Sequence, residues 1–248
     1  VGDARVVQVH RLRRDIGVVR LVGDFVPFHA GQSVSVTVPQ SPRVPRRYSP
    51  ALPPSLDGKF EFHVRAVPAG WVSGSIVSDT RVGDVWTIDS PDGDLFVDDS
   101  GRDVVMIAGG TGLAPMRALI LDLARWERPP SVHLFVGGRS PRDLYAADML
   151  SLLAAHAPWL TVIPVVDNIA DPPFADEWFA RADLERQADA PSSGFRADQL
   201  VVGRVGDVAA SFGPFLDRQV LVCGSPGMVD ATVRCLRATG TPADAIAT

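Results

Sequence analysis

The sequence predicts a β domain followed by an α/β domain: a six-stranded antiparallel barrel, then a parallel sheet with helices on both faces. Three observations carry this. The first hundred residues hold short segments rich in β-branched residues, separated by Gly, Pro and Asp turns. One of them, Ser33–Val38, alternates strictly between polar and apolar residues, as a half-buried strand should. From Gly101 onward, continuous apolar runs alternate with segments of helical apolar period.

The barrel strands that this pattern delimits are Val6–His10, Val18–Val22, Ser33–Val38, Lys59–Val67 and Val85–Ile88. Short strands with regular turns favour a closed antiparallel barrel. The Pro-rich stretch Pro39–Pro45 and the residues after it read as a loop between two strands. In the second half, Val104–Ala108, Val132–Val136, Leu160–Val166 and Val220–Cys223 read as strands buried on both faces. Met116–Trp126, Met149–Ala157 and Met228–Ala238 read as helices. Asp167–Gly194 is polar and Pro-bearing, a long loop with one short helix. The expected domains are residues 1–100 and 101–248.

Bulk properties exclude several classes. Hydrophobic residues make up 46% and charged residues 21% of the 248, which fits a globular protein rather than a disordered one. A net charge of −5 offers no global basic field to nucleic acid. No apolar run approaches the length of a membrane span, and no basic segment followed by an apolar core opens the chain. The only cysteines, Cys223 and Cys235, form no C-x-x-C motif, which argues against a cysteine-ligated metal site and fits a reducing compartment. The expectation is a cytoplasmic monomer without metal. A chain that starts at Val1 reads as a piece of something longer, or as one lacking its first residues.

Four motifs carry chemistry. Arg46-Arg47-Tyr48-Ser49 offers a flat ring and a charge to an aromatic ligand bearing phosphate, although alone it fits a surface loop equally. Gly70-Trp71-Val72-Ser73 sits at a helix start, where backbone N–H groups and a hydroxyl suit a phosphate or simply cap the helix. Ala108-Gly109-Gly110-Thr111-Gly112-Leu113-Ala114-Pro115 joins a buried strand to a helix, the setting of a pyrophosphate loop, but Pro115 stands where a strict G-x-G-x-x-G would have its last glycine. Cys223-Gly224-Ser225-Pro226-Gly227-Met228 repeats the strand-to-helix transition. Its cysteine is either a group beside a ligand or a small buried hydrophobe.

In this order and spacing the four motifs resemble the ferredoxin–NADP reductase superfamily, over essentially the whole chain. The resemblance implies an FAD-binding barrel followed by a domain for NADH or NADPH. It places Arg46 on the flavin pyrophosphate, Arg47 among the cofactor-binding residues, Tyr48 on the isoalloxazine ring and Ser49 near flavin N5. His63, Val64 and Arg65 would line the flavin, and Gly70, Trp71, Val72 and Ser73 would form a second phosphate turn that favours FAD over FMN. Gly110, Thr111, Gly112 and Pro115 would hold the nicotinamide-nucleotide pyrophosphate. Cys223, Gly224, Pro226 and Met228 would face the nicotinamide. Ser49, Tyr48 and Cys223 would lie nearest the chemistry. Arg139 and Ser140, after a strand, would hold a 2′-phosphate or form a solvated turn, so NADH and NADPH both stay open.

Ala30-Gly31-Gln32-Ser33, Asp143-Leu144-Tyr145 and the two glycine turns are similar to the reductase part of flavohaemoglobins. That likeness implies electron delivery to a haem protein or globin domain. One alternative is the reductase of a multicomponent oxygenase, although such chains often carry a cysteine-ligated Fe–S module that these residues lack. Another is a nucleotide-binding sensor with little turnover. Many family members end on an aromatic residue that covers the flavin, whereas this chain ends Ala245-Ile246-Ala247-Thr248. Phe174, Trp178 and Phe179 in the polar segment would supply a cover, or a small satellite core of a surface loop.

Overall fold

The computed structural model describes residues 1–170 and 195–248. They form two compact units: residues 1–100 with 111–129 and 247–248, and residues 101–110 with the described part of 130–246.

The first unit is built on β1 (Gly2–Arg13), β2 (Ile16–Gly23), β3 (Ser33–Val38), β4 (Ser41–Tyr48), β5 (Lys59–Arg65) and β6 (Val85–Asp92). Their order in the sheet is β4-β3-β6-β1-β2-β5, and every pairing is antiparallel. The six-stranded antiparallel half-barrel matches the expected fold class, although only five of its strands were delimited from the sequence. Among the described residues, β4 and β5 share no ladder, and one isolated bridge, Pro50 to Phe62, spans the seam.

β4 also corrects the reading of Pro39–Pro45 and its sequel as a loop. Pro42 and Pro45 lack N–H donors, which would break a central strand. β4 lies at the sheet edge and pairs only with β3, so the missing donors disrupt no second ladder.

Alternation buries one face of these strands around Val34, Val36, Val38, Phe60, Phe62, Val64, Trp86 and Ile88. Phe28, Phe60, Phe62 and Trp86 stack in series with ring centroids 5.9, 6.1 and 5.9 Å apart. Such contacts add about 0.5–1.5 kcal/mol each beyond area burial. Helix α1 (Trp71–Asp79) packs Val72, Ile76 and Val77 into the same core. Its C-terminal carbonyls are held from β1. Arg11 Nε donates to Val77 O at 2.9 Å, and Nη2 donates to Ser78 O and Thr80 O at 3.0 and 2.8 Å. A cation there also complements the helix dipole.

Helix α2 (Leu113–Leu123) groups with the first unit. It starts three residues before the expected Met116 because Pro115 lies in its first turn, where an N–H has no intrahelical partner anyway.

The second unit is a sheet ordered β10-β9-β8-β7-β11-β12: β7 (Val104–Gly109), β8 (Val132–Gly138), β9 (Leu160–Val166), β10 (Val201–Val202), β11 (Gln219–Cys223) and β12 (Ile246–Ala247). The pairings of β7 with β8 and β11, and of β9 with β8 and β10, are parallel. Residues Val104 to Ala108 are fully buried, as their unbroken apolar run requires. Val105, Ile107, Val220 and Val222 share a core with α4 (Val205–Ser211) and with Leu236 of α5 (Pro226–Ala238). Helix α3 (Ala147–His156) lies between β8 and β9 in the chain. β10, β12 and α4 were not expected, because two-residue strands and a seven-residue helix leave no readable period. Phe174, Trp178 and Phe179 lie outside the described residues. Among the described residues, no helix is long and apolar enough to cross a membrane.

Replacing Arg11 with alanine removes three bonds to the end of α1. The expected loss is about 1–2 kcal/mol of stability, read as a lower urea midpoint with unchanged slope. An unaltered midpoint would show that α1 holds without this clamp.

Candidate functional site

The end of β4 carries the first motif, and its period of two separates the arginines. Arg47 turns into the sheet rim. Its Nε donates to Ser33 Oγ and its Nη2 to Ser33 O, both at 3.0 Å, and Nη2 lies 3.6 Å from Asp92. Arg47 is therefore occupied by protein groups. The Arg46 guanidinium is exposed and, among the described residues, donates to the carbonyl of its neighbour Pro45 at 3.0 Å. Tyr48 is half-buried against the core. Burial raises its phenol pKa, and the nearby Arg46 charge offsets part of that rise. Ser49 is half-buried.

The Pro50–Phe62 bridge draws this segment alongside β5. There the three residues assigned to the flavin divide. Val64 is fully buried in the core, so only its backbone can face a ligand. Arg65 lies 3.3 Å from Asp15. His63 is buried and its Nε2 lies 2.9 Å from Glu61 Oε1.

Glu61 is the residue that sequence reasoning missed. It is 3% exposed. Arg20 Nε donates to its Oε2 at 2.6 Å, and Arg117 Nη1, from α2, lies 3.1 Å from Oε1. Burial alone would raise the carboxyl pKa. The His63 hydrogen bond, the Arg117 charge and the Arg20 hydrogen bond outweigh burial and bring it to about 2. Its signal was the alternation of Phe60, Phe62 and Val64, which puts Glu61, His63 and Arg65 on one face. That pattern gives no hint that the face is covered.

The turn before α1 is strained and tight. Ala69 adopts a φ of 59°, rare for a residue with a side chain. A Cβ on Gly70 would run into the Val67 side chain and come within 2.7 Å of Ser73 Oγ. Ser73 Oγ donates to Gly70 O at 3.1 Å and accepts from Val67 N at 3.3 Å, so its hydroxyl braces the turn itself. No side chain caps the helix and no acidic residue lies in its first turn. The first N–H groups are thus left for an anion. Val72 points into the core and contributes backbone only, while Trp71 is 65% exposed.

In the second unit, β7 and β11 run parallel with Ala108 opposite Cys223, so their two glycine turns emerge side by side. This is where open parallel sheets bind ligands. A Cβ on Gly224 would come within 2.8 Å of Met228 Sδ and 3.3 Å of Gly109 O. A side chain there would have to displace Met228 and crowd the Gly109 carbonyl. Pro226 opens α5, which has no acidic residue in its first turn. From β7 the chain runs through a 3₁₀ turn, Gly110–Gly112, into α2, whose first turn also lacks acid and buries Pro115. Burial raises the Cys223 thiol pKa, against a smaller lowering by the Gly224 N–H. The thiol is therefore protonated at neutral pH and suited to packing rather than attack. Arg139 is exposed, with its backbone N–H donating to buried Asp143 at 3.2 Å and its Nε 3.6 Å from the same oxygen. Ser140 is buried.

These cradles fit the expected groups. The strained, uncapped turn at Gly70 with Tyr48 and Arg46 suits a flavin bearing pyrophosphate. The bare turns at Gly109 and Gly224 suit a second nucleotide. Among the described residues, no group of three His, Cys, Asp or Glu could hold a metal ion.

Comparison with known proteins agrees. Residues 5–96 match the oxidoreductase FAD-binding domain and residues 106–234 match the oxidoreductase NAD-binding domain. The chain is 33% identical, over 85% of its length and 54% of the other's, to the reductase component of a phenol 2-monooxygenase from Pseudomonas sp. strain CF600. It is 30% identical, over 92% of its length and 59% of the other's, to the electron transfer component of a xylene/toluene monooxygenase from Pseudomonas putida. The chain thus spans little more than half the length of these relatives. A solved ferredoxin reductase of carbazole 1,9a-dioxygenase superposes with a TM-score of 0.78 at 28% identity, over 100% of this chain and 68% of that one. The FAD/NAD-binding domain of a Vibrio cholerae nitric oxide dioxygenase shares the fold, with a TM-score of 0.72 at 20% identity, over 99% and 96% of the two chains.

Glu61 makes stability pH-dependent. Its carboxyl pKa falls from 4.5 to about 2 on folding, worth on the order of 3 kcal/mol. A lowered folded-state pKa stabilises fully above the unfolded value and ceases to do so as pH falls towards the folded one. Urea midpoints should therefore drop between about pH 5 and pH 2, and Glu61→Gln should flatten that drop. An equally steep drop in the variant would assign it to other carboxylates.

Proposed function

The chain belongs to the oxidoreductases with paired FAD-binding and NAD-binding domains, of ferredoxin reductase-like fold, and on that premise we propose that it is the reductase of a multicomponent oxygenase. Residues 1–100 hold FAD, and residues 101–248 hold NADH or NADPH. The observation that carries the reading is the ordered pair of cradles: Tyr48, Ser49 and the Gly70 turn in one, and the Gly109 and Gly224 turns in the other.

Bound FAD supplies two-electron oxidation of a nicotinamide and one-electron release to an acceptor. The protein supplies position. Arg46 and the first N–H groups of α1 neutralise pyrophosphate charge, and Tyr48 offers a ring face. Ser49 offers a hydroxyl to a ring nitrogen. Cys223, held as a thiol, shapes the wall where the nicotinamide is seated. Two free cysteines suit a reducing compartment such as the cytoplasm.

The expected haem or globin acceptor gives way to an oxygenase or its ferredoxin. The relatives at 30–33% identity are oxygenase components, whereas the nitric oxide dioxygenase likeness extends to the fold alone. The lack of a cysteine-ligated module had weighed against an oxygenase. It loses that weight because the chain spans only 54% and 59% of those two relatives.

FAD-loaded protein should bleach within seconds of anaerobic mixing with NADH or NADPH. A protein that stays colourless when given FAD would refute the reading. Tyr48→Ala should weaken FAD about fivefold, since stacking of this kind contributes roughly 1 kcal/mol. Arg46→Ala should weaken FAD more than riboflavin, which has no phosphate. Equal losses for both ligands would move Arg46 off the pyrophosphate.

A further inference from the structure

The buried cluster around Glu61 has a geometry that stability does not explain. A carboxylate among cations is costly to bury, and apolar side chains of similar volume often pack as well or better. Its connections are more informative. Arg117 lies in the second turn of α2, the helix that continues the Gly110–Gly112 turn. Arg117 Nη1 donates to Ala51 O at 2.7 Å while lying 3.1 Å from Glu61 Oε1. Ala51 N in turn donates to Glu61 O at 2.7 Å. Both backbone groups of fully buried Ala51 are thus held by this pair, two residues after Ser49. Arg20 and His63 fix the carboxylate from β2 and β5.

We infer that Glu61 and Arg117 are positioning residues that tie the Ser49–Ala51 segment of the flavin cradle to the start of α2, so that flavin and nicotinamide nucleotide are held through one cluster. The inference rests on the proposed reductase reading. Neither residue needs to touch a ligand. Glu61 fixes Arg117, and Arg117 fixes both Ala51 and the helix whose first turn follows the nucleotide loop. If the clamp is lost, both cradles loosen together.

The test uses FAD-loaded full chain in anaerobic stopped flow, with flavin bleaching followed across a range of NADH or NADPH concentrations. The concentration dependence gives a nucleotide Kd and the plateau gives a limiting rate. FAD release is timed separately by dilution into apoflavodoxin. Arg117→Met, similar in length but uncharged, should raise the nucleotide Kd about five- to tenfold and speed FAD release by a similar factor. Its limiting rate should fall by a smaller factor than either affinity, because the side chains of Tyr48, Ser49 and Cys223 are all retained. Arg117→Lys, which keeps a charge facing Glu61, should recover most of both effects. Glu61→Gln should act like Arg117→Met; if it does not fold, the two Arg117 variants decide. A merely structural cluster would lower the urea midpoint and leave nucleotide Kd and FAD release as in the parent. That result would overturn the inference, as would a shift in only one ligand. Failure of the parent to bleach with either nucleotide is a different outcome: it removes the reductase reading, and the inference falls with it.

Discussion

The seam between β4 and β5 is the constraint around which the first unit is organised. An antiparallel sheet that stops short of closure leaves two edges, each with unpaired backbone groups that must be satisfied or exposed. Here the Pro50–Phe62 bridge, the Ala51 peptide groups and the Glu61–Arg117 pair fill part of the gap. The remaining part leaves Tyr48 half-buried and Arg46 exposed at the strand end. A fully closed barrel would pair β4 along its length and leave no flank for a planar ligand. Prolines at positions 42 and 45 are acceptable for the same reason, since an edge strand needs donors on one side only.

The proposed anion sites of both units share one feature, an uncapped helix start. α1 begins at Gly70 without a side-chain cap, and α5 begins at Pro226 after Ser225, which makes no capping bond. Neither has an acidic residue in its first turn. A Cβ at Gly70 would meet the Val67 and Ser73 side chains, and one at Gly224 the Met228 side chain, so larger residues would crowd both turns. Arg11 secures the far end of α1, while Ser73 braces the strained turn that precedes it. The chemistry itself belongs to the bound cofactors. What the chain contributes is shape, charge placement and a cysteine kept protonated by burial.

Much of this was legible from the sequence because the signals were local. Ser33–Val38 and Leu160–Val166 have the same bounds in the structure as their apolar patterns predict. The glycine turns announced themselves by following apolar runs. Other features were illegible because they depend on distant partners. β4 was hidden by its prolines, whose tolerance follows from an edge position that only the assembled sheet defines. Arg47 looks equivalent to Arg46 in sequence, yet strand alternation sends it to Ser33 and Asp92. Glu61 carries no local signal, because its partners Arg20 and Arg117 are 41 and 56 positions away. Val64 was assigned to a strand that lines the flavin by backbone and side chains; its side chain lies in the core, which leaves the backbone for that role.

The central claim is that the flavin occupies the first unit at β4, β5 and α1, and that the nicotinamide nucleotide occupies the turns after β7 and β11. Hydrogen-exchange mass spectrometry tests that placement without turnover. FAD added to flavin-free protein should slow exchange in segments 46–51 and 70–74, where backbone N–H groups would face it. NAD+ or NADP+ added afterwards should slow exchange in segments 109–115 and 223–228. Protection of 223–228 by FAD, with none at 70–74, would contradict the account.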